Sequence, residues 1–224
     1  MGLDEKIKKD EVLARYTTYQ IGGMADYFLE ASSTEEVLEA LAWAEDRDMP
    51  VFVFGGGSNL LFDDAGFRGL VIRMRAQALK VRGEELWAEA GAMSARLVKA
   101  AAESALTGLE EWNGLPGTVG GAVLGNAGCF GVEVKDVLKE ATVYLPGQGV
   151  KTLGVDEMNY AYRWSRFKKE NGVILSATFR LHPGNAEAIQ EKMKAVARTR
   201  IQKQPPGLNT GSFFKILRGT MRGA

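Results

Sequence analysis

Apolar side chains recur at helical spacing over residues 33–48, where Val37, Leu38, Leu41 and Ala44 share one face. Ser33 and Glu36 have the spacing of a capping box, so a helix is predicted to start there. Pro50 closes the connection, and Val51, Phe52, Val53 and Phe54 form a short, fully apolar strand. Residues 70–74 and 86–90 read as further strands. Residues 94–105 form an Ala-rich amphipathic helix, with Gly108 placed to stop it. Small residues dominate 115–131, a pattern that excludes a normal helix. Residues 173–181 make the clearest long strand; Asn185 caps a helix running to about residue 202, and Pro205 and Pro206 follow. Strands and helices alternate without repeats or low-complexity linkers, so the expected class is α+β or α/β.

Two glycine-rich segments interrupt this pattern. Gly55-Gly56-Gly57-Ser58-Asn59-Leu60-Leu61 follows the apolar strand directly. Contiguous glycines let a backbone turn sharply and bring its N–H groups up to phosphate oxygens, and Ser58 and Asn59 add side-chain donors. The glycines lack Rossmann spacing and no Gly-Lys-Ser/Thr follows, so neither common nucleotide fingerprint applies. A tight strand-to-strand turn explains the segment equally well. The second is Pro116-Gly117-Thr118-Val119-Gly120-Gly121-Ala122 with Gly125-Asn126-Ala127-Gly128. Such a tract loses much conformational entropy on folding, which contact with a large flat or phosphorylated cofactor would offset. Close packing of backbone on backbone is the other explanation. Two phosphate-cradling loops in one small domain suit a dinucleotide better than a mononucleotide.

Two further segments carry polar chemistry. In Tyr160-Ala161-Tyr162-Arg163-Trp164-Ser165-Arg166-Phe167, aromatics flank two arginines, an arrangement suited to a fixed cation for carboxylate or phosphate. Surface arginines with their stems laid along apolar neighbours are the plainer alternative. In Gly211-Ser212-Phe213-Phe214-Lys215 a serine stands near a lysine. No Gly-x-Ser-x-Gly elbow is present, so a hydrolase triad is not indicated. Ser212 is either a proton donor or an ordinary turn serine.

Composition narrows the classes. The 224 residues hold 28 basic and 28 acidic side chains, which removes any electrostatic case for nucleic acid or anionic membrane as the main partner. A single cysteine, Cys129, rules out an internal disulfide, and a single histidine, His182, weakens any metal or His-based hydrolase reading. No metal is expected. Residues 1–10 are polar and Lys-rich, and no apolar run nears the ~20 residues of a membrane span, so a cytoplasmic protein is expected.

Taken in order, these segments resemble the UDP-N-acetylenolpyruvoylglucosamine reductase family. Tyr16-Thr17-Thr18-Tyr19-Gln20-Ile21-Gly22-Gly23 is similar to its opening loop. The two glycine segments, the Tyr162-Arg163 segment and Gly-Ser-Phe-Phe-Lys at 211–215 match its internal motifs. The resemblance implies an α+β, FAD-binding fold of the vanillyl-alcohol-oxidase (PCMH) type. Its two subdomains are expected at 1–75 and 76–204, and residues 205–224 would begin the substrate domain. It further implies non-covalent FAD, NADPH as hydride donor and a UDP-sugar substrate, reduced from its enolpyruvyl ether to UDP-N-acetylmuramate for peptidoglycan synthesis. Carried over, Gly22, Gly23, Gly55, Gly56, Gly57, Ser58, Asn59, Leu60 and Leu61 would line the FAD. So would Pro116, Gly117, Thr118, Gly120, Gly121, Ala122 and Asn126. Arg163 would hold and polarise the substrate carboxylate, Ser212 would donate a proton, and Tyr162 and Lys215 would help bind substrate. The short stretch after Phe167 resembles the subgroup without an extra tyrosine-bearing loop.

The chain departs from the family after Lys215, where Asn-Pro and a further domain with a catalytic glutamate are expected. One deleted A in the lysine codon run of a plausible family continuation, back-translated with chosen codons, yields Lys215 to Ala224 and a stop. Residues 216–224 are therefore read as out-of-frame peptide, and an FAD-binding remnant without turnover is the alternative function. A different flavoenzyme of the same fold, such as an alcohol oxidase, is disfavoured by the Tyr162-Arg163 and Ser212 motifs.

Overall fold

The computed structural model describes residues 2–203. The expectations for Ser212, Lys215, the Pro205–Pro206 pair and the tail at 216–224 lie outside the described residues. The first sheet joins β1 (Lys8–Val12), β2 (Met24–Ala31), β3 (Val51–Phe54) and β4 (Phe67–Met74) in the order β1-β2-β4-β3. β1 runs antiparallel to β2, whereas β2, β4 and β3 are mutually parallel. The crossover from β2 to β3 is α1 (Thr34–Glu45). Ser33 Oγ caps it by accepting the Glu36 N–H at 3.2 Å, and the Glu36 carboxylate accepts the Ser32 N–H at 2.7 Å. Val37, Ala40, Leu41 and Ala44 are its buried face, as the spacing predicts.

The second sheet is antiparallel and larger. It contains β5 (Leu79–Arg82), β6 (Glu85–Glu89), β7 (Leu138–Leu145), β8 (Gly149–Gly154) and β9 (Val173–Arg180) in the order β8-β7-β9-β6-β5. β7 alternates, with Leu138, Ala141, Val143 and Leu145 buried, whereas β9 is buried continuously from Val173 to Thr178 and on to Phe179. A central strand covered on both faces has this unbroken pattern. The helices α2 (Ser94–Glu103), α3 (Val119–Gly125) and α4 (Ala186–Lys203) accompany this sheet. Asn185 Oδ1 accepts the Ala188 N–H at 2.9 Å at the start of α4. Among the described residues, no helix is long and apolar enough to cross a membrane.

The core has two parts. A large cluster unites the second sheet, its helices, α1 and one face of the first sheet. A small one, Leu13, Ala25, Phe28, Phe54, Phe62 and Val71, fills the opposite face of the first sheet.

Two sequence expectations are corrected. The small-residue tract does contain a helix, α3, despite glycines that each cost about 1 kcal/mol in a helix interior. Packing offsets that cost: a Cβ at Gly120 would lie 2.7 Å from Ala90 Cβ, so only glycine lets the helix sit this close to the strand end. Gly108 does not stop α2 either. The helix ends at Glu103, and Ala105 takes the left-handed position at φ 53°.

Gly108 serves instead to bind Glu110. The buried Glu110 carboxylate accepts from the Gly108 N–H at 2.9 Å and the Thr107 hydroxyl at 2.5 Å, with Lys192 of α4 3.7 Å away. Burial alone would raise this carboxyl, but the Thr107 hydroxyl, the N–H donors and Lys192 hold it below the usual carboxylate range. A depressed carboxyl stabilises the fold above its unfolded pKa, and that contribution is lost as pH falls through the folded value. Glu110→Gln is therefore expected to cost about 1.5–3 kcal/mol in urea melts at pH 7. The difference from the parent should shrink below about pH 4; a pH-independent difference would contradict this account.

Candidate active site

A cleft of about 920 Å³ opens between the β3 edge of the first sheet and the second sheet. Its walls include Phe52, Phe54 and Gly55 on one side and Ala90, Thr118, Gly120, Gly121, Leu124, Val173 and Ile174 on the other. The two glycine segments meet here: a Cβ at Gly55 would fall 2.2 Å from Thr118 Oγ1. The second segment is laced to residues 90–94, with Val119 N–H donating to Ala92 O at 2.9 Å and Gly120 N–H to Ala90 O at 2.8 Å. Ser94 N–H donates to Gly117 O at 3.0 Å.

Of the residues singled out from sequence, Gly55, Thr118, Gly120 and Gly121 line the cleft itself. Gly57 turns the loop at φ 67°, Ser58 and Leu60 are half-buried, and Asn59 and Leu61 face solvent. Gly22 and Gly23 pack against the turn that follows, where Cβ atoms would lie 2.7 Å from Phe62 Cβ and 2.1 Å from Asp64 O. Pro116 is exposed, Gly117 faces open space at φ 98°, and the Ala122 methyl lies in the core. Sequence reasoning missed Ala90, Leu124 and the 172–174 segment. Gly172, directly before a buried strand, was the available signal; a Cβ there would meet Phe167 Cδ1 at 2.8 Å.

The Tyr160 to Phe167 segment docks on the carboxyl end of α3. The last carbonyls of a helix lack intrahelical partners. Tyr160 Oη donates to Val123 O at 2.9 Å, and the fully buried Ser165 Oγ donates to Leu124 O at 2.7 Å. Arg163 completes the set: Nη1 donates to Asn126 O at 3.3 Å and Nη2 to Gly128 O at 2.6 Å. Negative carbonyl ends at a helix terminus favour a cation there. Glu133 lies 3.6 Å from Nη1, and the guanidinium carbon sits 4.9 Å from the Tyr162 ring centroid. Arg163 itself adopts φ 55° in a turn closed by paired Ala161 and Trp164 backbone bonds of 3.1 Å. Its side chain remains 44% exposed, so the cation is fixed yet open to a ligand. Burial drives the Tyr160 phenol above its usual range, keeping it a neutral donor.

Asn126 joins the cleft helix to this arginine. It caps α3 in the left-handed region at φ 44° and is fully buried. Its Nδ2 donates to Glu133 Oε2 and to Ala161 O, each at 3.1 Å, and its Oδ1 accepts the Lys135 N–H at 3.1 Å. The side chain is thus satisfied by protein partners. Arg200 of α4 grips the same loop from behind through Cys129 Sγ at 3.0 Å and Asn113 O at 2.7 Å. Burial raises the Cys129 thiol, against the pull of Arg200, so this sulfur is a packing group rather than a reactive thiolate.

The cleft suits a flat dinucleotide. Its volume lies within the ~300–1,000 Å³ of cofactor pockets. Gly55 and Gly120 let the cleft walls pack closely, Gly121 leaves main chain bare, and Phe52, Phe54, Leu124 and Ile174 supply apolar cover. The seven residues of α3 carry its lining from Gly120 to the Arg163 seat, over about 10 Å at 1.5 Å per residue.

Fold and cleft together define an FAD-binding domain, and residues 25–154 match the FAD binding domain family. The fold is shared with alkyldihydroxyacetonephosphate synthase, at TM-score 0.59 and 18% identity over 82% of this chain and 39% of that one. Closer similarity is found to the crystal structure of UDP-N-acetylenolpyruvylglucosamine reductase from Thermus caldophilus. There the TM-score is 0.80 and identity 33%, covering 92% of this chain and 73% of that chain. A UDP-N-acetylenolpyruvoylglucosamine reductase from Rubrobacter xylanophilus is 43% identical over 211 residues, which are 93% of this chain and 71% of the relative. This chain belongs to the UDP-N-acetylenolpyruvoylglucosamine reductase family.

Proposed function

We propose that the chain binds FAD non-covalently in the cleft between subdomains 1–75 and 76–204. With NADPH as hydride donor, it reduces the enolpyruvyl ether of UDP-N-acetyl-3-O-(1-carboxyvinyl)glucosamine to UDP-N-acetylmuramate, a cytoplasmic step of peptidoglycan synthesis. The observation that carries this reading is the seat of Arg163 on the carboxyl end of the same helix that lines the cleft. Bound FAD would supply the hydride chemistry. Residues 55–61 and 116–122 would hold it, with Gly22 and Gly23 supporting the loop.

Hydride addition to the substrate double bond builds negative charge beside its carboxylate. A guanidinium held in advance stabilises that charge without reorganising. Arg163 fills this role, Tyr162 packs on it, and Asn126 keeps its seat in place. Ser212 would complete the reduction by general-acid donation, and Lys215 would meet the substrate.

The test is NADPH oxidation by the purified, FAD-supplemented chain with and without the UDP-enolpyruvyl sugar. Substrate-dependent oxidation supports the reductase reading. A yellow protein without such turnover leaves FAD binding alone as the function, and a colourless one rejects both.

Gly121 offers a cleaner probe of the cleft. A Cβ there meets nothing nearer than Thr118 Oγ1 at 3.8 Å, so a side chain can start at this cleft-lining position without a clash. Gly121→Leu is expected to keep the parental melting temperature while weakening FAD binding by about tenfold or more, or 1.4 kcal/mol per factor of ten. Flavin fluorescence titration reads this; unchanged affinity would move FAD out of the cleft.

A further inference from the structure

The loop at 55–61 is strung between two members of the small aromatic cluster, Phe54 before it and Phe62 after it. Another aromatic, Tyr16, packs on that cluster beside the loop. Its ring stacks on the fully buried Phe28, with centroids 4.4 Å apart at 23°. The Arg73 guanidinium carbon lies 5.1 Å from the ring centroid, and the phenol donates to Glu11 Oε1 at 2.8 Å. Arg73 is itself held by Glu30 at 2.9 Å and pairs in register with Phe54, the last residue before the loop.

The main chain of Tyr16 touches the loop directly. A Cβ at Gly57 would lie 2.0 Å from Tyr16 O, and Gly57 takes φ 67° at this contact. Thr18 N–H donates to Gly57 O at 3.1 Å. Residues 16–18 therefore brace the loop with no side chain between them. Three successive glycines have more freedom to lose on binding than any other residues would. A brace that removes this freedom beforehand raises affinity by preorganisation.

We propose that Tyr16 is a positioning residue that sets the 55–61 loop for FAD, its ring clamped by Phe28 and Arg73; this rests on the reading that the loop holds FAD. The role is on affinity, since Tyr16 is joined to the loop by backbone contacts and is absent from the cleft lining.

The experiment is FAD titration of the flavin-free full chain, followed by fluorescence, for Tyr16→Ala, Tyr16→Phe and Ser58→Asp. Tyr16→Ala is expected to raise the Kd about tenfold, while Tyr16→Phe, which keeps the ring contacts, stays within about threefold of the parent. Ser58→Asp places a carboxylate in the loop and should weaken FAD binding whatever Tyr16 does. Parental affinity in Tyr16→Ala together with weak binding in Ser58→Asp would overturn the positioning role and leave the loop as the FAD site. Parental affinity in all three would overturn both. A Tyr16→Phe variant as weak as Tyr16→Ala would overturn the ring clamp. Should Tyr16→Ala fail to fold, Arg73→Met removes the cation from the ring face, and an unchanged Kd there overturns the proposal.

Discussion

Replacing Arg163 by methionine is expected to lower kcat/KM for the UDP-enolpyruvyl sugar by roughly 10²–10³-fold, the usual cost of removing one preorganised charge-stabilising donor. The flavin spectrum should stay parental, because Arg163 sits at the far end of α3 from Gly120 and Gly121 and does not line the cleft. Its guanidinium spans two carbonyls, Asn126 O and Gly128 O, while leaving much of its side chain exposed. Arg163→Lys should recover only part of the loss, since a single ammonium lacks the planar fork that reaches both oxygens and a carboxylate. Substrate-dependent NADPH oxidation measures both variants. A methionine variant with parental kcat/KM would remove Arg163 from the chemistry.

Asn126→Ala is expected to cost about 3 kcal/mol of stability, from unpaired buried groups and a strained left-handed backbone. The Lys135 N–H, Ala161 O and Glu133 would each lose a partner, and alanine would have to adopt φ 44°. Asn126→Gly separates the two contributions, because it relieves the backbone while still deleting the side chain. Urea melts should therefore rank parent above glycine above alanine. The glycine variant should also lose part of its activity, since the Ala161 carbonyl in the turn that presents Arg163 loses its tie to Asn126 Nδ2, leaving the bonds from Tyr160, Ser165 and Arg163 to hold the turn on α3. Equal stability of the alanine variant and the parent would contradict the hydrogen-bond account.

Much of the scaffold could be read in the chain because its signals are local. Ser33 with Glu36 marks a helix start, Val51 to Phe54 is an apolar block, and 173–181 reads as a long strand whose continuous burial from Val173 to Phe179 the structure explains. The glycine segments were visible as chemistry, and the structure brings Gly55 against Thr118. What escaped is non-local. Helix α3 has too few side chains to show a period, so its presence depends on Ala90, thirty residues earlier, accepting Gly120 at close range. The link between Asn126 and the Arg163 turn spans 35 to 37 positions. Nothing in either segment marks the other as its partner. Ala105, not Gly108, turns the end of α2; Gly108 also takes a positive φ, 128°, but beyond the helix, where its N–H meets Glu110.

The seat of Arg163 is written mainly in main chain. Carbonyl oxygens at 126 and 128 are present whatever side chains stand there, so no substitution deletes them; only a change in the path of the backbone can move them. Outside Asn126, whose side chain ties the turn, mutational sensitivity in this loop should then follow shape rather than polarity. Position 128, where a Cβ would meet Glu133 Cγ at 2.7 Å, rejects alanine and leucine alike. Lineages can thus exchange polar for apolar groups around the arginine and keep its charge in register, provided Asn126 stays and the chain still bends there.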